Sequence, residues 1–187
     1  ATPGASDGTL LACDARVVPG PEMLTLDALL GEQGDFVAPP LVPEVRVFTA
    51  RALTPVWEAT EAREKGAQPP PFWVGGQALA RYVLDHPDVV RGRDVLDFAT
   101  GGGLVALAAA RAGARSVLGV DLDAYAIEVA RRIALANELE VAWLAADIVG
   151  SEPTADVVLT GDICYDRGSA ERITAWLFAL VRRERSV

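Results

Sequence analysis

Apolar residues are spread unevenly along the chain. From Gly75 onward, short apolar runs alternate with longer stretches of helical spacing. Asp94-Val95-Leu96-Asp97-Phe98 is an apolar run of strand length. Ser116 to Asp121, Val141 to Leu144 and Asp156 to Thr160 are three more. Nearly continuous runs of this kind suit strands covered on both faces. Between them the spacing predicts helices. The first starts at Gly75-Gly76-Gln77, carries Leu79, Tyr82, Val83 and Leu84, and ends at Pro87. The second runs from Leu104 to Ala112 and is capped by Gly113. A third is N-capped by Asp123 and reaches Asn137, and a fourth covers Ser169 to Arg182. Strands alternating with helices imply right-handed crossovers and a parallel sheet. The predicted fold class is therefore α/β: a doubly wound, mostly parallel, Rossmann-like sheet.

Ahead of this regular part the pattern breaks down. Pro3-Gly4, Pro19-Gly20-Pro21, Gly31, Gly34 and Pro39-Pro40 punctuate the first forty residues. Residues 1–38 read as an irregular arm with a short helix over Met23 to Leu30, and 39–187 as the domain. Val45 to Lys65 predicts a strand or helix leading into a charged helix, Trp57 to Glu64. Pro69-Pro70-Pro71 then imposes an extended segment ending in Phe72-Trp73.

Composition narrows the partners more than the fold. The chain has 187 residues, 51% of them hydrophobic, which suffices for one core without disulfides or a metal. Seventeen basic against 26 acidic residues give a net charge of −9, the wrong sign for gripping a nucleic acid. Two cysteines, Cys13 and Cys164, form no disulfide framework and suit a reducing compartment. No apolar run reaches the roughly 18 residues of a membrane span, and no secretory leader pattern opens the chain. A cytoplasmic location away from membranes is expected. Lys65 is the only lysine, a bias that codon usage explains.

Open α/β sheets bind ligands at the carboxyl ends of their strands. The loops starting at Asp97, Asp121, Asp147 and Gly161 should line one crevice there. Gly101-Gly102-Gly103 allows a sharp turn into a helix N-terminus and a close ligand approach, and with Leu104-Val105-Ala106 it also satisfies the dinucleotide pattern. Asp121 can accept both ribose hydroxyls of NAD or of S-adenosylmethionine. Asp97 discriminates: a carboxylate before the turn repels a pyrophosphate and favours an ammonium and a sulfonium. Asp147 can receive an adenine amino group. Asp162 and Tyr165 lie three apart after the fourth strand, so one turn brings both to the same mouth, where a methyl acceptor would enter. Each aspartate alone is equally well a cap or a solvated loop residue; four at successive strand ends favour a cationic ligand.

Val95-Leu96-Asp97-Phe98-Ala99-Thr100-Gly101-Gly102-Gly103 resembles the first motif of the seven-strand, class I methyltransferases. Leu41-Val42-Pro43-Glu44-Val45-Arg46, Pro71-Phe72-Trp73, GGQALARYVLDHPDVVRGRDVLDF and GDICYD together resemble the lysine methyltransferases that modify the β-subunit of electron transfer flavoprotein. The likeness runs from about residue 39 to 187. It implies S-adenosylmethionine as cofactor, S-adenosylhomocysteine as product, and a protein substrate, the electron transfer flavoprotein β-subunit. It further implies that Asp162 and Tyr165 position the target lysine. The cofactor-contacting positions it implies are Trp73, Gly76, Gln77, Asp97, Ala99, Gly101, Gly103, Asp121, Leu122, Asp147, Ile148 and Gly161. No metal is implied. The chain departs from the family where only Val74 separates Trp73 from Gly75, and where Ala99 replaces the motif's first glycine. It also stops at Val187, where a fifth strand would start, so the C-terminal strands are expected to be missing. Competing readings are a small-amine methyltransferase, a non-catalytic cofactor-binding module and an NAD oxidoreductase. His86, before Pro87, reads as a cap, and Cys164 has no nearby histidine to make it a nucleophile.

Overall fold

The computed structural model describes residues 11–12, 16–17, 34–50, 74–163 and 167–182. Strands β1 (Leu11–Ala12), β2 (Arg16–Val17), β3 (Gly34–Val37) and β4 (Val47–Ala50) precede helix α1 (Val74–Asp85). There follow β5 (Asp94–Phe98), α2 (Leu104–Arg111), β6 (Ser116–Asp121), α3 (Ala124–Ala136), β7 (Ala142–Asp147), β8 (Glu152–Pro153), β9 (Val157–Thr160) and α4 (Arg167–Val181). The expected helices over Met23 to Leu30 and Trp57 to Glu64, and the extended Pro69 to Trp73, lie outside the described residues.

The main sheet has the order β2-β7-β6-β5-β9. Its β7, β6, β5 and β9 run parallel, with Phe98 level with both Val120 and Thr160. Each crossover is bridged by a helix or a long connection, as parallel pairing requires. The arm contributes more order than its punctuation suggests. Arg16–Val17 pairs antiparallel with the end of β7, setting Arg16 opposite Asp147, and Leu11–Ala12 pairs with β8. Two-residue pairings like these are imposed by the edge they join, so no alternation announces them in the sequence.

Alternate residues of the parallel strands feed two cores. Val95, Val117, Trp143, Val157 and Leu159 face α1, α2 and α3. Leu96, Phe98, Leu118, Val120 and Val158 face the other way, against Trp176 and Leu180 of α4. Burial on both faces is why these segments read as unbroken apolar runs. Phe98 and Trp176 stack with centroids 4.9 Å apart, and the indole N–H of Trp176 donates to the Ser151 carbonyl at 2.8 Å, so the ring buries no unpaired donor. The segment before α1 also joins the first core: Val42, Val45 and Val47 are buried. Arg81 of α1 reaches back to Glu44 at 2.8 Å, and Asn137 exchanges two hydrogen bonds with the backbone of Arg46. Two stretches singled out together in the sequence, residues 41–46 and GGQALARY, are thus in contact through Arg81.

The β5–α2 turn makes unusual backbone demands. Ala99 has φ +57 and Gly103, the N-cap of α2, has φ +82. Left-handed geometry costs an alanine about 1–2 kcal/mol, which glycine avoids. Beneath the turn lies the Trp143 ring. A Cβ on Gly119 of β6 would come within 2.5 Å of Trp143 Cε3, and one on Gly103 within 2.5 Å of Trp143 Cη2. Both glycines leave the space that the indole fills.

Two stability measurements check this account. Ala99→Gly should raise stability by about 0.5–1 kcal/mol once the larger unfolded-state entropy of glycine is set against the relieved strain, an increase of about 1–4 °C in Tm. A fall in Tm would show that the alanine is not strained. Gly119→Ala should cost about 2 kcal/mol through overpacking, and Trp143→Leu in the same chain should recover part of that loss. Additive loss in the double variant would separate Gly119 from Trp143.

Candidate functional site

Because β7, β6, β5 and β9 are parallel and in register, Asp147, Asp121, Asp97 and Gly161-Asp162 fall along one edge of the sheet. The four strand ends expected to line one crevice are neighbours there.

Asp97 ends the inward face of β5 and is buried, 2% exposed. Its Oδ2 accepts from the Thr100 hydroxyl at 2.5 Å and from the Ala106 N–H at 2.9 Å. Ala106 is the third residue of α2, whose own N-cap, Gly103, has no side chain to offer. Asp97 therefore does from the end of a strand what an N-cap side chain normally does from the helix itself. Burial pushes its carboxyl up to about 7, against the Thr100 and Ala106 hydrogen bonds that favour the charged form; the nearby Asp121 pushes the same way as burial. Thr100 was invisible as a partner in the sequence, where it reads only as part of the motif.

Asp121 holds the turn from the next strand. Its Oδ2 accepts from the Gly101 N–H at 2.8 Å and its Oδ1 from the Asp123 N–H at 3.0 Å. Asp123 in turn caps α3 through the Tyr125 N–H, as expected. The glycine turn is thus tied down by two carboxylates, one from each of the adjacent strands. Above it there is room: a Cβ placed on Gly101 or on Gly76 would meet nothing within 4 Å. Leu122, directly after Asp121, is 55% exposed and presents an apolar side chain beside the turn.

Asp147 is not left open. Its Oδ2 pairs with Arg172 of α4 at 2.8 Å and its Oδ1 accepts from the Val149 N–H. Arg172 carries no motif, and only the packing of α4 brings it there. Ile148, expected among the cofactor contacts, is 1% exposed and packs in the second core with Ala146 and Trp176. The alternation of β7 continues one residue beyond the strand and turns its side chain inward, leaving only its backbone at the strand end.

Asp162 follows β9 in a left-handed conformation, φ +52, and its side chain crosses to α1. There its Oδ2 accepts from the Gly75 N–H at 2.9 Å. Gly161 lies against the same first turn of α1: a Cβ on it would sit 3.6 Å from the Gly76 nitrogen. The contact joins residues 87 apart in sequence. Tyr165 and Trp73 lie outside the described residues. Among the described residues there is no group of three metal-ligating side chains, and no helix is long and apolar enough to cross a membrane.

Comparison with known proteins agrees with the motif-bearing part of the chain. The family profile of ribosomal protein L11 methyltransferase (PrmA) matches residues 77–163. The electron transfer flavoprotein beta subunit lysine methyltransferase of Danio rerio is 38% identical over 146 residues, covering 73% of this chain and 55% of the relative. That of Homo sapiens is 40% identical over 110 residues, covering 57% and 41%. This chain therefore spans about half the length of the curated relatives it matches. A ribosomal protein L11 methylase structure from Lactobacillus delbrueckii subsp. bulgaricus aligns with a TM-score of 0.45 at 22% identity, covering 59% of this chain and 54% of the other. Over its motif-bearing part the chain is thus similar in sequence to the electron transfer flavoprotein beta subunit lysine methyltransferases, and its parallel sheet with a glycine turn is an α/β fold.

Proposed function

We propose that this chain is an S-adenosylmethionine-dependent protein-lysine N-methyltransferase and that its acceptor is the electron transfer flavoprotein β-subunit. The observation that carries the reading is the placement of Asp162 on the sheet edge that also bears the glycine turn and its two carboxylates. Identities of 38–40% to relatives of that name support the substrate. The net charge of −9 suits a protein acceptor better than a nucleic acid. Two cysteines in the chain agree with a reducing compartment such as the cytoplasm. We assign the activity to the domain over 39–187, with Arg16–Val17 lending its sheet an edge strand.

The residues present fit such a cofactor. Open space over Gly76 and Gly101, a carboxylate at the end of β6 and another beneath the turn suit a molecule with ribose hydroxyls and an ammonium. Asp121 would take the ribose, Asp97 the ammonium side and Leu122 the adenine face, with Asp147 nearby for the adenine amino group. When bound, S-adenosylmethionine supplies a methyl group already activated by its sulfonium. The protein then has to orient and to deliver a neutral amine. A free lysine has a pKa near 10.4, so deprotonating it at about pH 7.5 costs about 4 kcal/mol. Asp162 is exposed at the mouth and attracts the charged amine. The proton passes to water, and Asp162 with Tyr165 keeps the nitrogen lone pair aimed into the site. Such positioning does not require Asp162 to be a strong base.

Two outcomes are expected. Asp162→Ala should lower methylation of purified electron transfer flavoprotein β-subunit by about 100-fold or more, while calorimetric affinity for S-adenosylhomocysteine changes little. Turnover near the wild-type rate would remove Asp162 from the reaction. Label found only in small amines would replace the substrate. The second outcome concerns pH. Asp97 is neutral below about 7 and ionised above it, and only the ionised form attracts an ammonium. Affinity for S-adenosylhomocysteine should therefore rise with pH through about 7, by at most about tenfold per unit, with proton release on binding. Asp97→Asn should flatten that slope; a slope that survives the substitution would assign it to another group.

A further inference from the structure

We propose that Gly75 is a positioning residue for the acceptor side of the site: its N–H and its missing side chain together set the carboxylate of Asp162. The proposal rests on the reading that Asp162 orients the amine, and deepens it.

Gly75 is the second residue of α1. An N–H in the first turn of a helix has no acceptor within its own helix. Here it donates to Asp162 Oδ2 at 2.9 Å. The carboxylate lies directly over the glycine. An ideal Cβ at Gly75 would overlap Asp162 Oδ1 and lie 2.6 Å from both Cγ and Oδ2. No side chain other than hydrogen fits while Asp162 keeps this position. Gly76, one residue on, meets no such limit, because a Cβ there touches nothing within 4 Å. The two glycines therefore have different reasons. Gly76 leaves space open, whereas Gly75 is filled by the carboxylate.

The chemistry follows from the two oxygens of Asp162. Bonding Oδ2 to the helix fixes the rotation of the carboxylate, and Oδ1 is the oxygen that an arriving ammonium would meet. The left-handed backbone at Asp162, φ +52, gives the side chain its direction toward α1. The positive end of the α1 dipole also favours a negative charge at this spot. A carboxylate anchored in this way orients an amine without the entropic cost of choosing among rotamers.

The test is a double-mutant cycle on the full chain, with the electron transfer flavoprotein β-subunit as acceptor. Gly75→Ala should lower kcat by about tenfold or more, and leave calorimetric affinity for S-adenosylhomocysteine within about threefold of wild type. In an Asp162→Ala background the same substitution should have almost no further effect, because the group it displaces is gone. Equal losses in both backgrounds, or no loss in the first, would overturn the proposal. A second measurement does not depend on the folding of the Gly75 variant. Hydrogen exchange of the Gly75 amide should be slow in the wild type and about tenfold faster in Asp162→Ala. Unchanged exchange would also overturn it. Should Asp162→Ala itself turn over normally while the Gly75 amide still loses protection, the hydrogen bond stands and the catalytic reading of Asp162 is what fails.

Discussion

One buried oxygen organises the glycine-turn side of this molecule. Asp97 Oδ2 accepts from Thr100 and from the third N–H of α2, and so joins the end of β5, the turn and the helix at a single point. The arrangement answers a conflict. A tight turn favours glycine at the helix N-cap, but glycine has no side chain to accept from the first-turn N–H groups. Moving the cap to a strand end resolves the conflict at the cost of desolvating a carboxylate. Two hydrogen bonds and the helix dipole offset part of that cost. What remains uncompensated is visible as a carboxyl titrating near 7 rather than 4.

The two ends of the sheet show the contrast. At the amino ends, Arg115 bonds both oxygens of Asp94 and reaches Asp156, and Asp94 also takes the Ser116 hydroxyl. The Arg115 hydrogen bonds, then that of Ser116, hold the Asp94 carboxyl below its ordinary range. Arg115 and Asp156 are exposed and Asp94 is half-buried, so water screens the network and it adds little stability. Asp94 and Asp156 there share one arginine. At the carboxyl ends, Asp147 has Arg172, while the described bonds of Asp97, Asp121 and Asp162 are to backbone N–H groups and one hydroxyl. Arginine meets Asp94 and Asp156 at one end and Asp147 at the other, whereas Asp97, Asp121 and Asp162 are met by dipoles.

Legibility in the sequence follows from how locally each feature is determined. Strands β5 and β6 have the bounds that their apolar runs predict, because both faces of each are buried and every residue reports it. Strand β7 runs on to Asp147, beyond the predicted Leu144, because Ala145 and Ala146 carry little strand preference and are extended by their neighbours. Strands β2 and β8 are two residues each and exist only as partners. The same division holds at the site. That four aspartates gather on one edge was legible, since parallel order alone brings strand ends together. Their partners were not. Arg172 meets Asp147 through helix packing, Thr100 meets Asp97 through a turn, and Gly75 meets Asp162 across 87 positions. Gly119 looks like any strand glycine until the Trp143 ring is seen against it.

Helix α1 shows how one end of the sheet is built from distant text. Its first turn is held by Asp162, its exposed flank by Glu44 through Arg81, and its inner face by Ala80 and Val83 in the first core. The Glu44 pair is partly solvated and weak by itself. Its use is geometric: it ties the segment over 39–47 to the same helix that seats the carboxylate. Val42 and Val45 bury that segment without side-chain charge of their own, so burial supplies the adhesion and the ion pair supplies the register. These contacts together hold the Gly75 N–H beside the end of β9, where the Asp162 carboxylate accepts from it.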